Sequence, residues 1–161
     1  MIDIRPADRA DCPAVLAIVA PILRAGETYA MPTDMTDEDV LAYWFAPAHE
    51  TFVAKADGEI LGTFYLKANQ QGPGSHVANC GYMTAEAARG RGIARAMCEF
   101  SMERARERGF RAMQFNHVVS TNTSAVRLWQ SLGFEIVGTL PEAFRHPQHG
   151  FVDSYVMFRA L

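Results

Sequence analysis

Apolar residues follow two rhythms along this chain. Residues 1–6 alternate Ile2 and Ile4 with polar neighbours, the period-two mark of a strand with one buried face. Over residues 8–24 the rhythm changes: Val15, Ile18, Val19 and Ile22 recur at helical spacing behind Asp11 and Pro13, residue types that open helices. Residues 26–34 read as a polar and aromatic loop, and Thr36-Asp37-Glu38-Asp39 as the capped start of a short helix that ends before Pro47. Residues 51–56 and 59–66 are strand-like runs joined by Asp57-Gly58, a pair suited to a tight hairpin turn. A turn at 70–74 leads into a further strand at 76–84. Residues 90–108 predict an amphipathic helix, with Ile93, Ala94, Met97, Ser101 and Ala105 on one face, Arg95, Glu99, Glu103 and Arg106 on the other, and Gly109 as its stop. Then come a strand at 112–119, a helix at 122–132 and strands at 134–139 and 152–160. The order β-α-α-β-β-β-α-β-α-β-β predicts a mixed α/β (α+β) fold with a central strand–helix–strand unit.

Composition narrows the picture. The 161 residues are 49% hydrophobic and 20% charged, which suits one globular domain over residues 1–161. The formal net charge of −3 argues against a dedicated nucleic-acid binder. No apolar run approaches the ~18 residues of a membrane helix. The longest, residues 14–22, is interrupted by Pro21, and the N-terminus carries no signal-peptide pattern. The expectation is a cytoplasmic protein with neither membrane nor nucleic acid as partner. Cys12, Cys80 and Cys98 are scattered singly, so no disulfide framework is expected; His146-x-x-His149 lacks a neighbouring cysteine or an HExxH context, so no metal site is expected either.

The stretch richest in chemistry is Arg89-Gly90-Arg91-Gly92-Ile93-Ala94, which follows a strand and opens the strongest helix. Free backbone N–H groups and the helix dipole make such a turn an anion site. Gly90 and Gly92 allow close approach of a ligand, and Arg89 and Arg91 add positive charge. A P-loop would need GxxxxGK[ST], which is absent, and a dinucleotide fingerprint would need a third glycine where Arg95 stands. The bland alternative is a glycine-rich helix entry with exposed arginines.

The spacing Arg89, Gly92, Ala94 resembles the acetyl-CoA pyrophosphate loop of the GNAT acetyltransferase superfamily. The downstream residues Asn122-Thr123-Ser124-Ala125, Leu128-Trp129 and Leu132-Gly133-Phe134 resemble that family's second signature. The resemblance covers residues 79–140 and implies a single-domain fold with a mixed central sheet splayed between strands four and five, flanked by about four helices. It implies acetyl-CoA as cosubstrate, with the pantetheine arm pairing along Met83 and Thr84. The pyrophosphate is then expected on Arg89, Gly90, Arg91, Gly92, Ile93 and Ala94, with Asn122, Ser124 and Trp129 beside the arm. Trp129 stands where many members carry the tyrosine that protonates the leaving thiolate; an indole N–H is no useful acid near neutral pH, so a role in burial beside the arm is the preferred reading. A homodimer is also implied.

Three asparagines sharpen the likeness. Asn79, Asn116 and Asn122, in Val77-Ala78-Asn79-Cys80-Gly81-Tyr82, Phe115-Asn116 and Thr121-Asn122, resemble their counterparts in the proline-analogue (azetidine-2-carboxylate) N-acetyltransferases of fungi and bacteria. That likeness implies direct acetyl transfer to the amine of a small molecule, an amino acid or a toxic analogue, with Asn79 and Asn116 at the acceptor. Asparagine is a poor strand former, so both ask for a reason, although each can equally satisfy a loose backbone group at the splay; for Asn122 the plain alternative is a helix N-cap. A backbone N–H near Met83 or Thr84 is the expected oxyanion donor. Candidate proton acceptors are Glu27, His117, Asp153 and Tyr82. An acetyl-cysteine route through Cys80 has no visible base partner. The acceptor pocket is expected to draw on Glu27 and Tyr29 and on a loop at 143–151 carrying Arg145, which suits a carboxylate but equally suits an exposed hairpin loop. Competing functions are acetylation of a protein N-terminus or lysine, and acetyl-CoA sensing without catalysis.

Overall fold

The structure is a computed structural model describing residues 1–161. Its elements are β1 (Asp3–Pro6), α1 (Cys12–Ala25), α2 (Asp37–Trp44), β2 (Glu50–Ala56), β3 (Glu59–Ala68), β4 (Val77–Thr84), α3 (Ile93–Glu107), β5 (Ala112–Val119), α4 (Thr123–Ser131), β6 (Glu135–His146) and β7 (Gly150–Ala160). The seven strands form one sheet in the order β1-β2-β3-β4-β5-β7-β6. All neighbours are antiparallel except β4 and β5, whose parallel pairing requires a crossover; α3 supplies it. This is a single-domain α/β fold with a seven-stranded mixed sheet and four helices.

Helices cover both faces of the sheet. On one side Val15, Val19 and Leu23 of α1 and Val40 and Trp44 of α2 bury Val53, Tyr65 and Met83. On the other, Cys98, Met102 and Ala105 of α3 meet Met113 and Phe115 of β5 and Trp129 of α4. The first turns of α3 sit directly on β3: a Cβ on Gly62 would stand 2.7 Å from Ile93 and 2.9 Å from Met97. That contact fixes where the N-terminus of α3 points, and so positions the site described below.

The hairpin signal at Asp57-Gly58 corresponds to a turn with φ of 54° and 82°, joining β2 and β3. Three sequence-based boundaries need correction. α1 runs through Pro21 to Ala25 instead of ending at residue 24. α3 begins at Ile93, because Gly90 and Gly92 have φ of 77° and 79° and cannot lie in a right-handed helix. The stretch 143–151, expected as a loop, is the tip of a long β6–β7 hairpin paired out to His146↔Gly150. β6 is an edge strand exposed along most of its length, so it lacks the in–out alternation by which strands are read. No helix is long and apolar enough to cross a membrane.

Candidate active site

β4 and β5 pair only at Val77↔Ala112 and Ala78↔Met113. Beyond these the strands diverge, giving the splay that the resemblance implies, and open a cleft of about 970 Å³. Asn79 stands at the vertex. It is buried, and its Nδ2 donates to Gln114 O on β5 at 2.9 Å, bridging the strands where their ladder ends. Its Oδ1 has no partner in the protein and is open to the cleft.

The register decides which edge groups of β4 are free. Asn69 N bonds Val77 O and Ala85 N bonds Leu61 O, so the odd-numbered residues of β4 exchange hydrogen bonds with β3. The N–H and C=O of Cys80, Tyr82 and Thr84 therefore face the gap. Met83 does not: its backbone is committed to Thr63, and its side chain is buried against α1. This corrects the expectation that Met83 is an oxyanion donor or pairs with the pantetheine arm; the N–H groups that face the gap there belong to Tyr82 and Thr84. The Tyr82 carbonyl accepts the Tyr29 hydroxyl at 2.9 Å.

At the cleft's other end lies the anion cradle. The N–H groups of Gly90, Gly92, Ile93, Ala94 and Arg95 have no acceptor, whereas those of Arg89 and Arg91 close turns onto Glu86 O and Ala88 O. Arg89 and Arg91 thus contribute no free N–H. The Arg89 side chain lines the cleft, but Arg91 turns away to Asp57 at 2.7 Å. A Cβ on Gly90 or Gly92 would meet no protein atom within 4 Å. What demands glycine is the positive φ, and the space in front is open for a ligand. Beside it, Asn122 makes no capping bond, and its Oδ1 accepts from Ser124 Oγ at 3.3 Å. Trp129 is buried, its ring 5.1 Å from Tyr82 and 5.2 Å from Phe115 between centroids, and it lines the cleft with Asn122 and Ser124.

The α1/α2 side forms the other half of the cleft, with Glu27, Tyr29, Tyr43, Tyr65, Lys67, His117 and His146 among its walls. His117 lies in a bulge where the β5–β7 register shifts between Phe115 and Val118. Its ring meets Phe144 edge-on at 5.9 Å, its Nδ1 is buried without a partner, and burial lowers its pKa from the usual 6.5. Imidazole at this position is neutral at pH 7 and free to accept a proton. Asn116 sits at the exposed rim with both amide ends engaged, Nδ2 to Asn69 Oδ1 at 2.6 Å and Oδ1 to Gln114 Nε2 at 2.9 Å.

Other sequence candidates fall away for physical reasons. The Tyr82 hydroxyl is buried against Ser101 Oγ at 2.7 Å on the α3 face, and burial raises its pKa far from any basic role. Asp153 is absent from the cleft walls and accepts from Glu142 N at 2.9 Å. The Cys80 thiol is pushed up to about 12 by burial, so it stays protonated and is no nucleophile. Arg145 is exposed on β6, beside a separate hollow it shares with Tyr29 and Phe144. Lys67 has no place among the sequence candidates, and His146 enters there only through the His146-x-x-His149 pair and the 143–151 loop, yet both line the cleft. The alternation of β3 places Lys67 on the same face as Tyr65 and is a usable signal for it.

A splayed parallel pair with a polar open edge and an anion cradle on the next helix fits a long ligand carrying amides at one end and a diphosphate at the other. These are the features of an acyl transferase that uses coenzyme A. Residues 16–134 match the Acetyltransferase (GNAT) family, and the chain belongs to that family as an acetyl-CoA-dependent N-acetyltransferase. It is 30% identical over 151 residues to N-acetyltransferase aca1 of Schizosaccharomyces pombe, covering 83% of this chain and 72% of that one. A GCN5-related N-acetyltransferase structure from Kribbella flavida matches with a TM-score of 0.93 and 50% identity over 99% of this chain and 98% of the other. The phosphinothricin acetyltransferase of Sinorhizobium meliloti in complex with AcCoA shares the fold, with a TM-score of 0.86 at 22% identity over 99% and 88% of the two chains.

Proposed function

We propose that the enzyme transfers acetyl directly to the amine of a small molecule, an amino acid or toxic amino-acid analogue of the proline-analogue kind. The observation that carries this reading is the acceptor half of the cleft: Asn79 Oδ1 and the His117 ring stand at the splay with neither engaged by the protein. Acetyl-CoA supplies an acetyl group already activated as a thioester.

The protein's part is to bind, orient and move a proton. Gly90 and Gly92 to Arg95 offer N–H groups to the diphosphate, aided by the α3 dipole and Arg89. The gap-facing N–H groups of Tyr82 and Thr84 are the donors available to a carbonyl oxygen held in the gap. Asn79 Oδ1 accepts an N–H of the acceptor amine and aims its lone pair. The acceptor enters as its ammonium: His117, neutral because it is desolvated, takes one proton to free the lone pair, and as the N–C bond forms and the C–S bond breaks the remaining N–H proton passes to the departing thiolate, so CoA leaves as the thiol. Tyr29 acts structurally by fixing the β4 edge through Tyr82 O.

Release of free CoA, followed with a thiol reagent across amines, amino acids, cyclic imino acids and basic peptides, tests this. Turnover of small amines is expected. Turnover of peptides alone would move the function to protein acetylation, and tight acetyl-CoA binding without turnover would make the protein a sensor. We also propose a homodimer formed along β6, supported by Ile136, Val137 and Leu140 standing 38%, 58% and 41% exposed on that edge strand. Sedimentation equilibrium checks it, and a monomer at micromolar concentration would exclude it.

A further inference from the structure

Lys67 is a half-buried cation with nothing to pair with. It lines the cleft from β3 and makes no ion pair. The other cleft-lining cations, Arg89 and Arg95, stand at the anion cradle, and the one cleft-lining carboxylate is Glu27, on the loop after α1. The groups around Lys67 supply no negative charge. Tyr43 and Tyr65 bond each other through their hydroxyls at 3.0 Å. His49 stacks on Tyr65 at 4.0 Å, and its pKa is lowered by burial with the charge of Lys67 adding to the effect, so it is a neutral neighbour. A partly desolvated ammonium without a counter-charge gains most from an anionic ligand.

Its cross-strand partner says which ligand. Lys67 lies directly opposite Asn79 in the β3–β4 ladder, so the two side chains share a face with Cβ atoms about 5 Å apart. Asn79 Nδ2 is tied to Gln114 O, and what Asn79 shows the cleft is an acceptor, Oδ1. An acceptor oxygen repels a carboxylate and suits an amine N–H. The two neighbouring groups therefore recognise an amine and a carboxylate side by side, which an α-amino or α-imino acid carries on adjacent atoms.

We infer that Lys67 is the specificity-determining residue that binds the acceptor's carboxylate, so that the enzyme selects α-amino or α-imino acids over plain amines and peptide N-termini. The inference rests on the acetyl-transfer reading above. A peptide N-terminus presents a neutral amide at this spot, and a plain amine presents nothing; both leave Lys67 without its counter-ion.

The test compares kcat/KM by CoA release for matched pairs: L-proline with L-prolinamide, azetidine-2-carboxylate with its amide, and L-alanine with L-alaninamide. Wild type is expected to prefer the acid roughly 10- to 100-fold, the range for a hydrogen bond to a charged partner. Lys67→Met should bring acid and amide to within about threefold by raising KM for the acid more than it lowers kcat. Lys67→Arg should keep the preference. A melting temperature within about 2 °C of wild type shows that the variants fold. Equal wild-type turnover of acid and amide overturns the role of Lys67 while leaving acetyl transfer standing, as does an acid preference that survives in Lys67→Met. A wild-type protein that acetylates none of these amines overturns the transfer reading and this inference with it.

Discussion

The two halves of the cleft are built from different materials. The half suited to the cofactor is backbone: the free N–H groups of Gly90 and of Gly92 to Arg95, and the open edge of β4 at Cys80, Tyr82 and Thr84. The acceptor half is side chain: Lys67, Asn79, His117 and Glu27, each from a different element. A backbone site tolerates substitution wherever the conformation survives, since every residue carries the same amide. A side-chain site changes specificity with a single substitution. Sequence variation should therefore move this enzyme's acceptor far more easily than its cofactor.

The largest effect is expected at His117. His117→Ala should lower kcat by about a hundredfold, the usual loss of a general base, with acetyl-CoA affinity held near wild type in an equilibrium titration. The pH profile gives a second check. Because burial lowers the His117 pKa and the acceptor enters as its ammonium, kcat/KM should be flat from the usual histidine value of 6.5 up to the pKa of the ammonium itself, and should fall as pH drops through the depressed His117 pKa, where the ring becomes charged. An unchanged kcat in the variant would pass the proton to Glu27, the other unpaired base in the cleft.

Gly92→Val comes next and strikes the other half. At φ of 79° a β-branched side chain is strained, and its Cβ enters the space a diphosphate would fill. Acetyl-CoA affinity should fall about tenfold or more by calorimetry, and the acid-over-amide preference should persist.

The contrast between the halves also explains what was legible in the sequence. Glycines at left-handed φ and an amphipathic helix are local features, so the cradle and α3 could be read directly, apart from the helix start. The acceptor half depends on register. Met83 and Thr84 look interchangeable in sequence, yet the β3–β4 ladder turns the Thr84 N–H into the gap and Met83 away from it. His117 faces the cleft through a bulge that no residue pattern announced. Arg145 suits a carboxylate and an exposed hairpin equally well in sequence, and it lies exposed on the β6–β7 hairpin, whereas Lys67 stands opposite Asn79 only through the β3–β4 register.

Asn79→Ala tests whether one side chain serves both fold and site. It removes the bridge to Gln114 O and leaves that carbonyl without its partner, which costs about 1 kcal/mol of stability in a denaturant titration. It also removes the Oδ1 acceptor, so acceptor KM should rise roughly tenfold while acetyl-CoA affinity stays near wild type. A stability loss with unchanged acceptor kinetics would reduce Asn79 to a clasp across the splay.

The smallest effect is expected from two neighbouring arginines. Arg91 is held in an exposed ion pair with Asp57 and does not line the cleft, whereas Arg89 lines the cleft and makes no ion pair. Exposed pairs contribute little to stability, about 0–1 kcal/mol. Arg91→Ala should therefore leave acetyl-CoA affinity within about twofold of wild type. Arg89→Ala removes a cation beside the diphosphate and should weaken binding about threefold to tenfold, less so at high salt because the contact is exposed and screened. Equal losses in the two variants would mean that Arg91 leaves Asp57 when the cofactor arrives. In that event Asp57→Ala should tighten acetyl-CoA binding by freeing Arg91, and the cofactor half would be less purely a backbone construction than its geometry indicates.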